Sequence, residues 1–143
     1  MRVTVDASVW LSALSPAERE HRECASLIRA LVERRVPMHQ PGLFIVEVCA
    51  TVARRTRDRA LAIDAGRLAL ESPVMVMHEL DHHLAASAAE VAATCALRGA
   101  DAVYVATASK AASTLLTLDR EVRERAAARV DVRTVSEWHD VLR

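Results

Sequence analysis

The chain has 143 residues, 52% of them hydrophobic and 3% aromatic, which fits a single domain spanning residues 1–143 with a core built mostly of Ala, Val and Leu. Lys+Arg and Asp+Glu both number 19, so the formal net charge is zero and no global field draws the chain to nucleic acid or membrane. Any nucleic-acid contact must come from a local patch.

No apolar stretch is long enough to span a bilayer, and Asp6 interrupts the first apolar run, so no signal peptide is expected. The three cysteines, Cys24, Cys49 and Cys95, form no C-x-x-C pair. They read as reduced, buried, small apolar residues of a cytoplasmic protein.

In chain order, Arg2–Val5 is a β-branched run expected as a strand, closed by Asp6. Residues 7–11 turn helical. Ser15-Pro16-Ala17-Glu18 has the pattern of a helix start, with Ser as N-cap, Pro next and Glu closing a capping box. That helix is expected to run to about Arg35, with Cys24, Leu27, Ile28, Leu31 and Val32 on one apolar stripe.

Val36–Gln40 reads as the second strand, Pro41-Gly42 as a turn, and residues 43–55 as a helix containing Glu47. A further helix is expected between Asp58 and Leu70. Pro73 resets the chain, and Val74–Met77 is the third strand. Asp81 then caps a long Ala-rich helix expected to end at Gly99 in a left-handed cap. The next helix starts at once, with Asp101 in its first turn, where the helix dipole favours a carboxylate. Thr114–Leu118 is the fourth strand, ending at Asp119, followed by a helix rich in Arg and Glu. Val130–Val135 is the fifth strand, and Ser136 caps a last short helix.

Strand and helix alternate throughout. The pattern predicts an α/β fold, a three-layer α/β/α sandwich around a mainly parallel five-stranded sheet. In such folds the site lies beyond the carboxyl ends of the strands.

Asp6 and Asp119 each follow a strand, so both are expected at that edge. Asp101 starts the helix leading into the fourth strand. Glu47 stands among Ile45, Val46 and Val48, and an acid in so apolar a stretch is expected to point inward. Two carboxylates about 5 Å apart repel by roughly 3 kcal/mol at an effective dielectric of 20. Four such groups would raise one another's pKa or need a cation. No Lys lies beside any of them, and the economical reading is a hard-metal site for Mg²⁺ or Mn²⁺. Ser8 and Thr117 each sit two residues from an acid, placed to bond a carboxylate or a metal-bound water. A local turn bond would account for either hydroxyl taken singly.

Asp6-x-Ser8 after the first strand, Glu47, Arg98-Gly99-Ala100-Asp101-Ala102 and Thr117-Leu118-Asp119-Arg120 together resemble the PIN domain. More narrowly, they resemble the VapC-type toxins of bacterial toxin–antitoxin pairs, over almost the whole chain. The resemblance implies a PIN-like fold and a metal-dependent endoribonuclease acting on single-stranded or loop RNA. It implies Asp6, Glu47, Asp101 and Asp119 as the catalytic, metal-binding quartet. It also implies a homodimer inhibited by a small antitoxin.

Other readings compete. His78-Glu79-Leu80-Asp81-His82 matches H-E-x-x-H, the zinc-protease motif, but that motif needs both histidines on one helix face. Here His78 continues a strand and Asp81 caps the next helix. A phosphatase with Asp6 as nucleophile would want an acid at position 8 and a basic residue for phosphate. A response-regulator receiver would want an Asp ending the third strand, where His78-Glu79 stands. A catalytically idle partner-binding module would be free to lose an acid, and the quartet is intact. Arg98, Arg120 and Arg123 lie near the proposed site in sequence, equally suited to RNA phosphates and to a solvated face.

Overall fold

The computed structural model describes all residues, Met1–Arg143. Its elements in order are β1 (Val3–Val5), α1 (Ala7–Leu14), α2 (His21–Glu33), β2 (Met38–Pro41), α3 (Leu43–Thr56) and α4 (Arg59–Leu70). There follow β3 (Met75–His78), α5 (His82–Cys95), α6 (Gly99–Ala111), β4 (Thr114–Leu116), α7 (Arg120–Ala126), β5 (Val132–Arg133) and α8 (Val135–Leu142). The five strands form one sheet in the order β3-β2-β1-β4-β5 with every pairing parallel.

Val3, Thr4 and Val5 are all fully buried. Successive strand residues face opposite sides, so burial of all three means that helices cover both faces of the sheet at its centre. α6 lies against β1, β2 and β4, and its residues from Ala102 to Ala108 are buried all round. A helix with no polar face belongs inside a domain. Trp10 of α1 meets Phe44 of α3 edge to face, ring centroids 5.7 Å apart.

β1 pairs with β2 through the backbone at a single register, Val3 with Met38. Gln40 completes the junction with its side chain. Its Nε2 donates to Val5 O at 2.8 Å, and its Oε1 accepts from Val5 N at 3.3 Å. The amide is fully buried and stands in for a missing rung of the ladder.

Asp81 caps α5 as expected, accepting from Leu84 N; Asp58 and Asp119 prove to cap α4 and α7 as well, accepting from Leu61 N and from Glu121 N and Val122 N. Ser15 does not start α2. It terminates α1, its N–H bonded to Ser12 O, while its carbonyl accepts from Glu18 N in a turn. Glu18 is drawn to Arg55 on α3 rather than closing a box. Helix α2 begins at His21, closer to where its apolar stripe begins.

Gly99 is the first residue of α6, not a left-handed cap. That conformation falls to Ala96, φ 51°, at the end of α5. The same region is occupied by Arg35, Arg57 and Ala112, each at the close of a helix, and by no glycine. Strand β5 is shorter than expected because Thr134, not Ser136, caps α8 in a full capping box with Glu137. Of the three cysteines, all free, Cys24 is fully buried and Cys49 and Cys95 only partly. Gly66 of α4 packs directly on Cys49 of α3, closing the α3–α4 pair.

Candidate metal centre

The sheet order places β2 and β3 on one side of β1 and β4 and β5 on the other. The chain therefore switches direction between β1 and β4, and a crevice opens beyond their carboxyl ends. Asp6 is the residue after β1, and Asp119 lies three residues past β4. Asp6 N donates to Leu116 O at 2.9 Å, so the two strand ends are tied where the acids emerge.

Asp6 caps α1, and its Oδ2 accepts two hydroxyls, Ser8 Oγ at 3.0 Å and Thr117 Oγ1 at 2.7 Å. Thr117 is fully buried and also accepts from Asp119 N at 3.1 Å. One hydroxyl thus links the two acid-bearing turns. Ser8 and Thr117 stand where the sequence suggested, each bonded to a carboxylate.

Asp119 Oδ1 accepts from the backbone N–H of Glu121 at 2.8 Å and of Val122 at 3.3 Å. Asp101 lies in the first turn of α6 with its side chain 15% exposed. Arg98, the residue before α6, spans both acids: Nε donates to Asp101 Oδ2 at 3.0 Å and a terminal nitrogen to Asp119 Oδ2 at 3.4 Å. The guanidinium is 78% exposed, so solvent screens this bridge heavily.

Glu47 points inward from α3, as its apolar neighbours imply. Its Oε1 is buried without a hydrogen-bond partner. Burial holds its carboxyl above the usual range, with Asp6 and Asp101 adding to the rise and Tyr104 and Arg98 opposing it. Burial likewise raises Asp101, against the pull of Arg98 and with the push of Asp6 and Asp119. The four acids therefore share one electrostatic neighbourhood.

The donor set fits a hard divalent cation. It offers carboxylates and hydroxyls, no thiolate or imidazole, and one desolvated oxygen left without a partner. No three of the His, Cys, Asp and Glu side chains converge on ligating geometry; Arg98 holds Asp101 and Asp119 in salt bridges instead.

Of the other arginines, Arg120 is 82% exposed and pairs with Glu124 one turn on, as on a solvated face. Arg123 is partly buried on α7, its Nε without a partner. The two histidines of H-E-x-x-H fall on different elements, His78 at the end of β3 and His82 at the start of α5. His78 bonds His39 instead, Nε2 to Nδ1 at 2.9 Å. Sequence reasoning passed over Tyr104 and Gln40. Tyr104 stands inside the apolar run Ala102–Ala106, which signals that it points inward but not what it faces; Gln40, between His39 and Pro41, gives no such signal.

A parallel α/β domain with four acids around the β1–β4 switch point defines the class. The model of the PIN domain family matches residues 3–128, and the chain belongs to that family. No curated protein matches the sequence. Among solved structures, the chain is similar to VapC20 of Mycobacterium tuberculosis, described as a sarcin-ricin loop cleaving toxin. The TM-score is 0.72 at 22% identity, over 92% of this chain and 98% of that one. FitAcB of Neisseria gonorrhoeae gives 0.71 at 21% identity, over 96% and 99%. VapBC2 of Rickettsia felis, bound to a DNA fragment from its promoter, gives 0.72 at 9% identity, over 94% and 98%. At these identities the likeness establishes the fold. No helix is long and apolar enough to cross a membrane.

Proposed function

We propose that this chain is a metal-dependent endoribonuclease, the toxin of a toxin–antitoxin pair, acting in the cytoplasm on single-stranded or loop RNA. The observation that carries the reading is the gathering of Asp6, Asp101 and Asp119 from separate segments by Thr117 and Arg98, with Glu47 turned inward into the same electrostatic neighbourhood. Family membership supports the nuclease chemistry, and the VapBC and FitAB neighbours support an antitoxin partner; a homodimer is what the resemblance implies.

Asp6, Glu47, Asp101 and Asp119 would hold Mg²⁺ or Mn²⁺, which when bound supplies Lewis-acid polarisation of the scissile phosphate and an activated water. The chain's own residues supply orientation. Ser8 and Thr117 fix the Asp6 carboxylate, and the α7 amides fix Asp119. Arg98 stands exposed at the mouth with a planar donor fork suited to exchanging a carboxylate for an RNA phosphate. Arg120 and Arg123 on α7 are the weaker candidates for an RNA phosphate, Arg120 being already paired with Glu124.

The test is cleavage of a structured RNA with Mg²⁺, with Mn²⁺ and with EDTA. Cutting with either metal, its loss in EDTA and a drop of orders of magnitude in Asp101→Asn are expected. Cutting that persists in EDTA, or that needs Zn²⁺ alone, would overturn the reading. Growth arrest on expression, relieved by the product of a neighbouring gene, tests the toxin assignment separately.

A further inference from the structure

Helices α5 and α6 pack along each other and are joined by residues 96–98 alone, so they run antiparallel. The start of α5 therefore lies beside the end of α6. Small residues line their seam, Ser87 on α5 and Ala106 and Ser109 on α6, and a cavity of about 520 Å³ stays open there. Sites that hold small organic ligands run from roughly 300 to 1,000 Å³. None of the four acids lines this cavity, and Asp101 lies at the other end of α6 from Lys110.

The cavity is amphipathic. Its floor is Leu84, Val91, Val105 and Ala106, all buried. Its rim is polar. At one end, Lys110 stands next to the Ser109 hydroxyl. Lys110 is the only lysine of the chain and takes part in none of its ion pairs, so no carboxylate neutralises the ammonium. Two turns along α5 from His83, about 10 Å at the rise of a helix, comes Glu90. Glu90 is paired with Arg129, which follows α7 and closes that end. Lys110 and Arg129 against Glu90 leave the rim with a surplus of positive charge.

The complementary ligand has a flat apolar body, an anionic group at one end and an edge of mixed donors and acceptors at the other. We infer that the cavity binds a nucleoside monophosphate: the phosphate meets Lys110 and Ser109, the base lies on the apolar floor, and the base edge meets the Glu90–Arg129 pair. A carboxylate beside a guanidinium sets an acceptor next to donors, which a nucleobase edge can match. A fatty acid would leave that pair without partners, and a ligand anionic at both ends would meet the Glu90 carboxylate. The inference goes beyond the nuclease reading and does not depend on it, since it uses no cation and no member of the quartet.

The test is isothermal titration calorimetry of the full chain in EDTA, so that no metal at the acids recruits phosphate. The probes are the four ribonucleoside 5′-monophosphates, the free nucleosides and inorganic phosphate. At least one nucleotide should bind, with its nucleoside and inorganic phosphate each about tenfold weaker or more. Lys110→Ala should weaken that nucleotide by about tenfold or more, the effect of losing a charged hydrogen-bond donor. Ser109→Phe fills the cavity and should abolish binding. Both positions are exposed, and melting curves confirm that the variants fold. No binding of any nucleotide at millimolar concentration overturns the inference. So does unchanged affinity in either variant, or inorganic phosphate binding as tightly as the nucleotide.

A second measurement needs no substitution. ¹³C-lysine labelling gives a single ε-methylene resonance, from Lys110. It should move on addition of the nucleotide and stay in place on addition of the nucleoside. A resonance indifferent to the nucleotide overturns the inference.

Discussion

Thr117 donates its hydroxyl to Asp6 at 2.7 Å across 111 positions of sequence, and accepts the Asp119 amide on the same oxygen. One buried hydroxyl thereby sets the separation of two acids that arrive on different strands. Thr117→Val keeps the shape and removes both bonds. We expect a loss of about 1–3 kcal/mol of stability, since a buried amide and a carboxylate lose a partner. Metal affinity should fall as well, because Asp6 is freed to turn. Urea unfolding and Mn²⁺ titration check the two parts.

Asp101 and Asp119 answer differently to neutralisation. Asp119 accepts two backbone N–H groups as the cap of α7, whereas Asp101 accepts only from exposed Arg98. Asp119→Asn keeps an oxygen to accept both amides but loses the negative charge at the start of α7, and should cost up to about 1 kcal/mol. In EDTA, Asp101→Asn should match or exceed wild type in Tm, because it removes one of four crowded charges. Added Mg²⁺ should raise the wild-type Tm more than that of either variant, since only an intact site gains binding energy on folding. Melting curves with EDTA and with Mg²⁺ decide it. A clear drop for Asp101→Asn in EDTA, with no Mg²⁺ effect on wild type, would make the quartet a structural network.

Burial raises the pKa of Glu47 and Asp101 above the ordinary 4.5 and 3.8. A carboxyl whose folded pKa is raised binds its proton more tightly when folded, so its ionisation costs stability. That cost is full above the folded pKa and vanishes below the unfolded one. His39 and His78 pull the other way, since burial lowers both. The difference between variant and wild type cancels the histidines. In EDTA, a Glu47→Gln/Asp101→Asn variant should melt above wild type at about pH 7.5, and the gap should close as the pH falls to about 4. A gap that is constant with pH would disprove that these two carboxyls ionise at a cost in the folded chain.

Strand–helix alternation was legible because each apolar run is short, β-branched and bounded by Pro, Gly or an acid. Asp6 and Asp119 were legible because each follows a strand, and Glu47 because it interrupts an apolar helix. The Ser15 box was misread: a serine between two helices serves either, and α1 claimed it. Gly99 was misread because the turn needed its left-handed residue three positions earlier, at Ala96. Tyr104 and Gln40 escaped notice because what each faces lies on another element, and no local pattern encodes it.

The α3–α4 pair offers a packing test away from the acids. A Cβ at Gly66 would collide with Cys49 Sγ. Gly66→Ala should therefore destabilise the fold by about 1–3 kcal/mol, the range for overfilling a packed contact. Cys49→Ala in the same chain removes the obstructing sulfur and should restore most of the loss. Urea denaturation of both singles and the double checks the coupling; additive losses would show that Gly66 is needed for another reason.

Four helix ends pass through left-handed backbone at Arg35, Arg57, Ala96 and Ala112, while all three glycines sit elsewhere. An L-residue there carries about 1 kcal/mol of strain that glycine does not. Natural selection has thus left the thermal tolerance of this domain below what its architecture permits. Ala112, at the far end of α6 from Asp101, marks where a more heat-resistant form can be reached with the chemistry of the acids untouched.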